Sequence, residues 1–518
     1  MKIIRKLIII NCLYLSVSAQ ITLVKDINPN AFSSNLNGQY NRLVKMGNHV
    51  YFGALENNKS GLFKTDGTTV GTMRVTDPNE NIFVKEPTSS GTLIGWSGPN
   101  PFDAGEYPWS SNGITSGTAG TNTFVQTLYP FNGEIFYSGS TFDEGFELWK
   151  INTAGTAEMV KNIPGVGVNN TISPSKFVAH SDGFLYFLGW ANNAPCALWK
   201  TDGTTAGTSK VKDMPYCTQL FSAGSNLFIV GPNDPPNYYG SHKLWVSDGT
   251  NAGTVVIKDF NPAGFPVSSN YYTFNNHLFF SLDDEINGTE LWVSNGTTLG
   301  TQMVQNLNPG AGSSFATPLG HAGNFMYLAA NNGLDGPALY KVAADPINII
   351  GGIGQYEITL VKDINTISDA TSYFDKGIEF QGKFYFPAGD GVTGMELWRT
   401  DGTAVGTELL GDINPTDGSY PSRFCVLNNK LLFVAYTFDL DHELYKYEDP
   451  TFVPCANTDS FQGIASDILY EANSSIQSIH TIPVLAGITI YKAQAITLNP
   501  GFRTEPGAKF MTITEGCN

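Results

Sequence analysis

The chain has 518 residues, of which only 14% are charged and 12% aromatic, with 55 glycines, a balance that suits many short strands joined by tight turns. Its formal charge of −17 excludes a protein that tracks nucleic-acid phosphates and disfavours an anionic membrane surface as partner. Length alone suggests about three domains, but an internal repeat running through most of the chain lets one ring carry that length.

Residues 1–19 read as an export signal: Lys2, Arg5 and Lys6 form a basic start, Leu7 to Leu15 an apolar run, and Val17-Ser18-Ala19 a small-residue cleavage site. A lipid anchor on Cys12 competes with this reading, and Asn11 is the wrong residue before such a cysteine. The mature chain is expected to start at Gln20 and to be secreted or held at the bacterial cell surface. Residues 1–19 carry three of the 29 basic residues and none of the 46 acidic ones, so the charge without them is −20. No later stretch reaches the ~20 apolar residues of a membrane span.

From there to residue 449 the sequence repeats a unit of four short strands, A to D. The fourth unit is the clearest. Phe177-Val-Ala-His is strand A, Phe184 to Trp190 strand B, Cys196 to Thr201 strand C and Thr208 to Asp213 strand D. The A–B turns carry Asn132-Gly133, Asp182-Gly183, Asn275-Asn276, Gly323-Asn324 and Asn428-Asn429, residues that tolerate the positive φ of tight hairpins. B strands such as Leu185-Tyr-Phe-Leu188 are apolar on both alternating faces, so each sheet is covered on both sides. A Leu-Trp step or its equivalent falls at Leu62, Leu148, Leu198, Leu244, Leu291, Leu339, Leu397 and Leu444. In the regular part its spacing is 46 to 50 residues, the length of a propeller blade. The 86 residues between Leu62 and Leu148 make room for a degenerate unit around Tyr107-Pro-Trp109, which brings the expected count to about nine.

The two ends of the array fit each other. The last unit stops after Tyr447 without a D strand, and the chain begins with an orphan one, Ile21-Thr-Leu-Val-Lys-Asp-Ile27, which matches Ile358 to Ile364 almost letter for letter. A ring closed by the N-terminal strand explains both facts and leaves no exposed edge. The fold class expected is therefore all-β: a closed propeller over residues 20–449, a linker at 450–454, and a small β-stack at 455–518 whose strands stack as short rungs.

The repeated Glu-Leu-Trp-x-x-Asp-Gly-Thr-x-x-Gly-Thr, clearest at Glu396 to Thr407, resembles the bacterial ELWxxDGT repeat family. That resemblance covers roughly residues 21–447 and implies an exported repeat protein without fixing an activity. The stretch from Ile476 through Asn499-Pro-Gly-Phe502 to Glu515-Gly-Cys517 resembles the 3-coathanger stack domain of secreted proteins.

Past Ala19 no cysteines form a C-x-x-C pair, which argues against a thiolate zinc site. Cys455 and Cys517 could close the C-terminal segment as a disulfide, and Cys196 with Cys217 is a second pairing. Cys425 is left over as a small buried residue. The recurring Asp66, Asp202, Asp248 and Asp401 offer one carboxylate per turn, too few for a calcium loop, and a bond from each side chain to its own backbone explains the spacing without an ion. No G-x-S-x-G, H-E-x-x-H or Gly-Lys-Ser/Thr motif occurs, so no catalytic residue is assigned and no cofactor is expected.

The A–B and C–D turns share one end of every blade and are monotonous, whereas the B–C loops and D-to-A crossovers at the other end vary. Variable loops on a rigid scaffold are where recognition usually lives. Phe102, Phe142, Tyr238, Tyr239 and Phe438 are the stacking platforms expected there, and Asp283, Asp284, Glu285, Asp439 and Asp441 the acceptors, able to hold a calcium ion. The leading expectation is a monomeric, non-catalytic binding, adhesion or surface-scaffold protein whose partner is extracellular glycan or protein. The second is a propeller-borne extracellular hydrolase or lyase acting on polysaccharide or another polymer.

Overall fold

The structure is a computed structural model. It describes residues 20–29, 34, 36, 41–99, 106–113, 124–140, 145–163, 173–190, 196–232, 242–260, 270–334, 336–350, 353–365 and 374–449. In the tail it describes the backbone of strands between Ala456 and Ile513. Residues 1–19 and the expected cleavage point lie outside this set.

Nine antiparallel sheets form a nine-bladed propeller, with no helix among the described residues. Blades one and three to eight each run A-B-C-D in chain order, and blade nine combines Ser422–Leu427, Lys430–Thr437 and Asp441–Glu448 with the N-terminal strand Gln20–Lys25. That strand lies beside Asp441–Glu448, so the ring closes as the orphan strand requires. Blade two, the degenerate unit, shows three strands: Lys85–Ser89, Ile94–Pro99 and Glu106–Ser111. In blade seven strands C and D are longer than in the other blades and form a hairpin over Pro337–Ile350 and Ile353–Lys362.

The A strands of neighbouring blades touch one another all the way round, from Val44–Met46 of blade one to Ser422–Leu427 of blade nine and back, which makes A the innermost strand. Hairpin turns take the positive φ that their residues allow: Asn132 at 50°, Asn276 at 62° and Gly183 at 87°. B strands are buried on both faces, and Phe187, Leu188, Phe279 and Phe386 are wholly enclosed between blades.

The repeated motif is a stitching device. Each turn aspartate accepts the backbone N–H and hydroxyl of the threonine two residues on, at 2.9 and 2.8 Å for Asp202 and Thr204. Asn295 makes the same pair of bonds without a charge. The threonine before the turn and the one closing it share a buried hydroxyl bond of 2.7 Å at Thr201–Thr208 and Thr400–Thr407. Lysines then join blade to blade. The C-strand Lys150 and Lys200 donate to the Gly203 and Gly249 carbonyls of the next turn. The D-strand Lys212 and Lys362 donate to the Thr254 and Thr407 carbonyls while lying over Trp245 and Trp398 of the following blade. Lys25 of the N-terminal strand makes the same bond to Thr72 of blade one, so the seam carries the stitch used elsewhere.

The glutamate of the motif ties down the crossover. Glu396, wholly buried, accepts from the Ile413 and Ser419 N–H groups and the Ser419 hydroxyl, and Glu147, Glu290 and Glu443 hold Ile163, Leu307 and Ile27 likewise. Blade four has Ala197 at this position, and there the Cys196–Cys217 disulfide fastens the crossover to strand C. Cys425 is free and buried.

The chain divides into two compact units, one of them Ile21–Lys446 and the other including Tyr447–Asn518. In the second, Ala456–Phe461, Leu469–Ser478, Ile488–Leu498 and Lys509–Ile513 pair in parallel in that order, and Thr481–Ile482 pairs with Arg503–Thr504. Parallel strands in sequential order are stacked rungs. Cys455 and Cys517 lie outside the described residues.

Candidate functional site

The inner strands of blades eight, nine and one begin around a cavity of about 540 Å³, at the end of the ring where the crossovers and B–C loops lie. Asp375, Lys376 and Ile378 come from blade eight, Ser422, Arg423 and Phe424 from blade nine, and Arg42 and Leu43 from blade one.

Each blade presents its cation by a different local device. Arg42 follows Asn41, whose buried amide donates to the Leu36 and Gly53 carbonyls and accepts from the Gly53 and Arg42 N–H groups, fixing the start of the strand. Lys376 precedes Gly377, where a Cβ would run into the Tyr385 carbonyl, so only glycine lets the strand approach. Arg423 sits in a β-bulge: register shifts between the Ser422–Val434 and Cys425–Leu432 pairs, and Arg423 takes φ 58°. Bulges re-aim side chains at the rims of sheets and beside functional sites, and a left-handed non-glycine residue is a strained one. Blades two and four carry the same kind of shift at Glu86 and Lys176.

Asp375 accepts the Lys376 N–H at 2.7 Å, but the arginines of this cavity are short of partners. Four arginines lie in the ring. Arg74 bonds the carbonyls of Lys59, Ser60 and Glu80, and Arg399 bonds Glu408 at 2.7 Å. The other two are Arg42 and Arg423, and among the described residues neither guanidinium is in an ion pair. Arg423 Nε and Ser422 Oγ are both buried without a hydrogen-bond partner. Buried polar atoms are nearly always satisfied, and these two, closed to solvent behind the cavity wall, are exceptions.

The residues picked out on the B–C loops fare differently. Phe102, Phe142, Tyr238 and Tyr239 lie outside the described residues. Phe438 is 75% exposed at the tip of its loop in blade nine. The loops of blades six, seven and eight expose an apolar tip in the same way, at Ile286, Leu334 and Val392. The acids are not brought together, for Asp283, Asp284 and Glu285 belong to blade six and Asp439 and Asp441 to blade nine. Asp283 and Asp284 accept N–H groups of their own loop, and Asp441 bonds the His442 ring at 2.6 Å. No group of three His, Cys, Asp or Glu side chains among the described residues is placed to hold a metal ion.

Two kinds of perturbed carboxyl occur elsewhere in the ring. In the turns, the bond from the following threonine hydroxyl holds Asp66, Asp202 and Asp248 below the ordinary aspartate range. In the crossover clamps, burial outweighs the hydrogen bonds and raises Glu396 to about 7 and Glu443 to about 8. Both kinds serve the fold.

The cavity was missed in the sequence because its parts are far apart. Asn41-Arg42-Leu43, Asp375-Lys376-Gly377 and Ser422-Arg423-Phe424 each open a strand A, and three consecutive basic starts in so acidic a chain were the signal available.

No family model and no curated protein matches the sequence. Among solved structures the chain is similar to prolyl endopeptidases described for inter-domain dynamics in catalysis and specificity (14% identity, TM-score 0.39, 67% of this chain and 57% of that one). It is also similar to a puromycin-hydrolysing peptidase of Mycobacterium tuberculosis (9%, 0.37, 88% and 65%). A third is the β-propeller domain of the trilobed protease from Pyrococcus furiosus (13%, 0.34, 63% and 96%). The chain spans 57% and 65% of the length of the first two. The likeness at these values is one of fold. The neighbours named are peptidases, and the expectation of a non-catalytic binding, adhesion or scaffold protein, which none of them supports, is withdrawn. At the end of the ring where a face of variable loops was expected, the described residues form a concave site lined by a carboxylate and three cations.

Proposed function

We propose that the protein is an exported enzyme of the ELWxxDGT repeat type, a hydrolase or lyase that takes a segment of an extracellular polymer into the cavity between the inner strands of blades eight, nine and one. The observation that carries this reading is the composition of the cavity wall: Asp375 beside Lys376, Arg42 and Arg423. A carboxylate can take or return a proton, and fixed cations stabilise negative charge as it develops on the reacting group. Leu43, Ile378 and Phe424 supply apolar wall for the body of the substrate, the mixture usual in small-ligand sites. Export agrees with the basic, apolar and small-residue start of the chain and with a disulfide in blade four.

The test is turnover. Purified protein is incubated with a panel of extracellular polysaccharides and proteins, and new reducing ends and new amino termini are counted. Cleavage of one polymer class is expected, with at least about a hundredfold loss in Asp375→Asn, the range typical for a proton-transfer group. Folded protein that cuts no polymer, or an Asp375→Asn variant as active as the parent, would sink the reading.

A further inference from the structure

We infer that the cavity recognises a carboxylate-bearing sugar, so that the polymer is an acidic polysaccharide built on uronic acids. The inference rests on the proposed function for the location of the site but not for the occurrence of turnover.

The argument starts from the unpaired groups. Arg423 and, in the next blade, Arg42 both line the cavity, and neither guanidinium is in an ion pair among the described residues. A planar fork of donors at a cavity wall matches a carboxylate, which can accept two parallel N–H bonds. Leu43, Ile378 and Phe424 offer apolar surface to the face of a pyranose ring.

Three features favour a polysaccharide over a peptide. The cations come from three separate blades, which suits anionic groups recurring along a chain better than one terminal carboxylate. The exposed apolar tips Ile286, Leu334, Val392 and Phe438 lie at this same end of the ring on blades six to nine, and they suit further sugar rings of a bound polymer. Finally, the chain as a whole is acidic, at −17, so positive charge concentrated here is local and selective. It can hold a short anionic segment without making the protein a general polyanion binder.

The left-handed backbone of Arg423 gives the decisive variant. Glycine adopts φ 58° without strain, so Arg423→Gly removes the guanidinium while easing the backbone. Calorimetric titration with a galacturonate tetramer, its carboxyl-reduced neutral counterpart, inorganic sulfate and an acidic tetrapeptide tests the inference on the intact protein. The tetramer is expected to bind, and the neutral counterpart and the tetrapeptide to bind at least about tenfold more weakly. Arg423→Gly should lose roughly ten- to a hundredfold in affinity for the uronate with no fall in melting temperature. Arg42→Gln should lose less, since that side chain is exposed and screened by salt. Equal binding of the neutral sugar, of sulfate or of the peptide would overturn the inference, as would unchanged affinity in Arg423→Gly or no binding at all. Uronate bound but never cut would uphold the inference and fail the enzymatic reading.

Discussion

Replacing Glu396 by alanine tests whether the glutamate of the motif is a clamp on the crossover. The side chain is wholly buried and accepts three bonds: from Ile413 N–H at 3.2 Å, Ser419 N–H at 2.9 Å and the Ser419 hydroxyl at 2.5 Å. Alanine leaves the Ile413 N–H and the Ser419 hydroxyl without their acceptor, while the Ser419 N–H keeps its 3.0 Å bond to the Met395 carbonyl, and a stranded buried donor costs about 1–3 kcal/mol. Two effects offset the sum. Removing the carboxyl also removes its own desolvation cost, and the crossover can swing out to let water reach the freed groups. A net loss of about 3 kcal/mol is expected, concentrated in the segment from Ile413 to Ser419. A ring of nine blades need not unfold in one step, so the right measurement is local. Hydrogen exchange of peptides covering residues 412–420 and Tyr436, whose N–H donates to the Ser419 carbonyl at 2.7 Å, should quicken roughly a hundredfold. Blade four, which has no glutamate clamp, should keep its parent exchange rates. Glu396→Gln keeps one acceptor oxygen and should fall between. If Glu396→Ala exchanges like the parent over 412–420, the clamp is not what holds the crossover.

The same glutamates set a pH dependence. Burial raises Glu443 to about 8, with Asp26 and Asp441 nearby adding to it, and raises Glu396 to about 7, both from an ordinary value of 4.5. The folded ring thus binds these protons more tightly than the unfolded chain. The stability they contribute is full below pH 4.5 and is lost as pH rises through about 7 to 8, so the ring should melt lower at about pH 9 than at about pH 5. Glu443→Gln should flatten that difference in a melting series across pH, and a variant with the parent's slope would exclude Glu443 as its source. Deleting residues 20–29 should expose the edge of Asp441–Glu448 in blade nine, remove the Lys25 bond to Thr72, lower the melting temperature and promote self-association. A truncated protein that stays monomeric and melts like the parent would mean that the seam contributes nothing.

How much of this was legible in the sequence follows from the range of each interaction. Hairpin residues such as Asn275-Asn276, the doubly apolar B strands and the turn aspartates act within a few residues of themselves, so the unit could be read locally, and its repetition gave the ring. Closure was legible for a special reason: Ile21 to Ile27 is a copy of Ile358 to Ile364, and a copied strand takes a copied place. The tertiary structure alone decided the rest. Lys362 meets Trp398 and Thr407 only because the next blade stacks beside it, and Glu396 reaches Ser419 only because the crossover folds back over strand C. The cavity is the extreme case. Arg42 and Arg423 are at opposite ends of the repeat array, and they line one wall because a closed ring sets its first and last blades side by side.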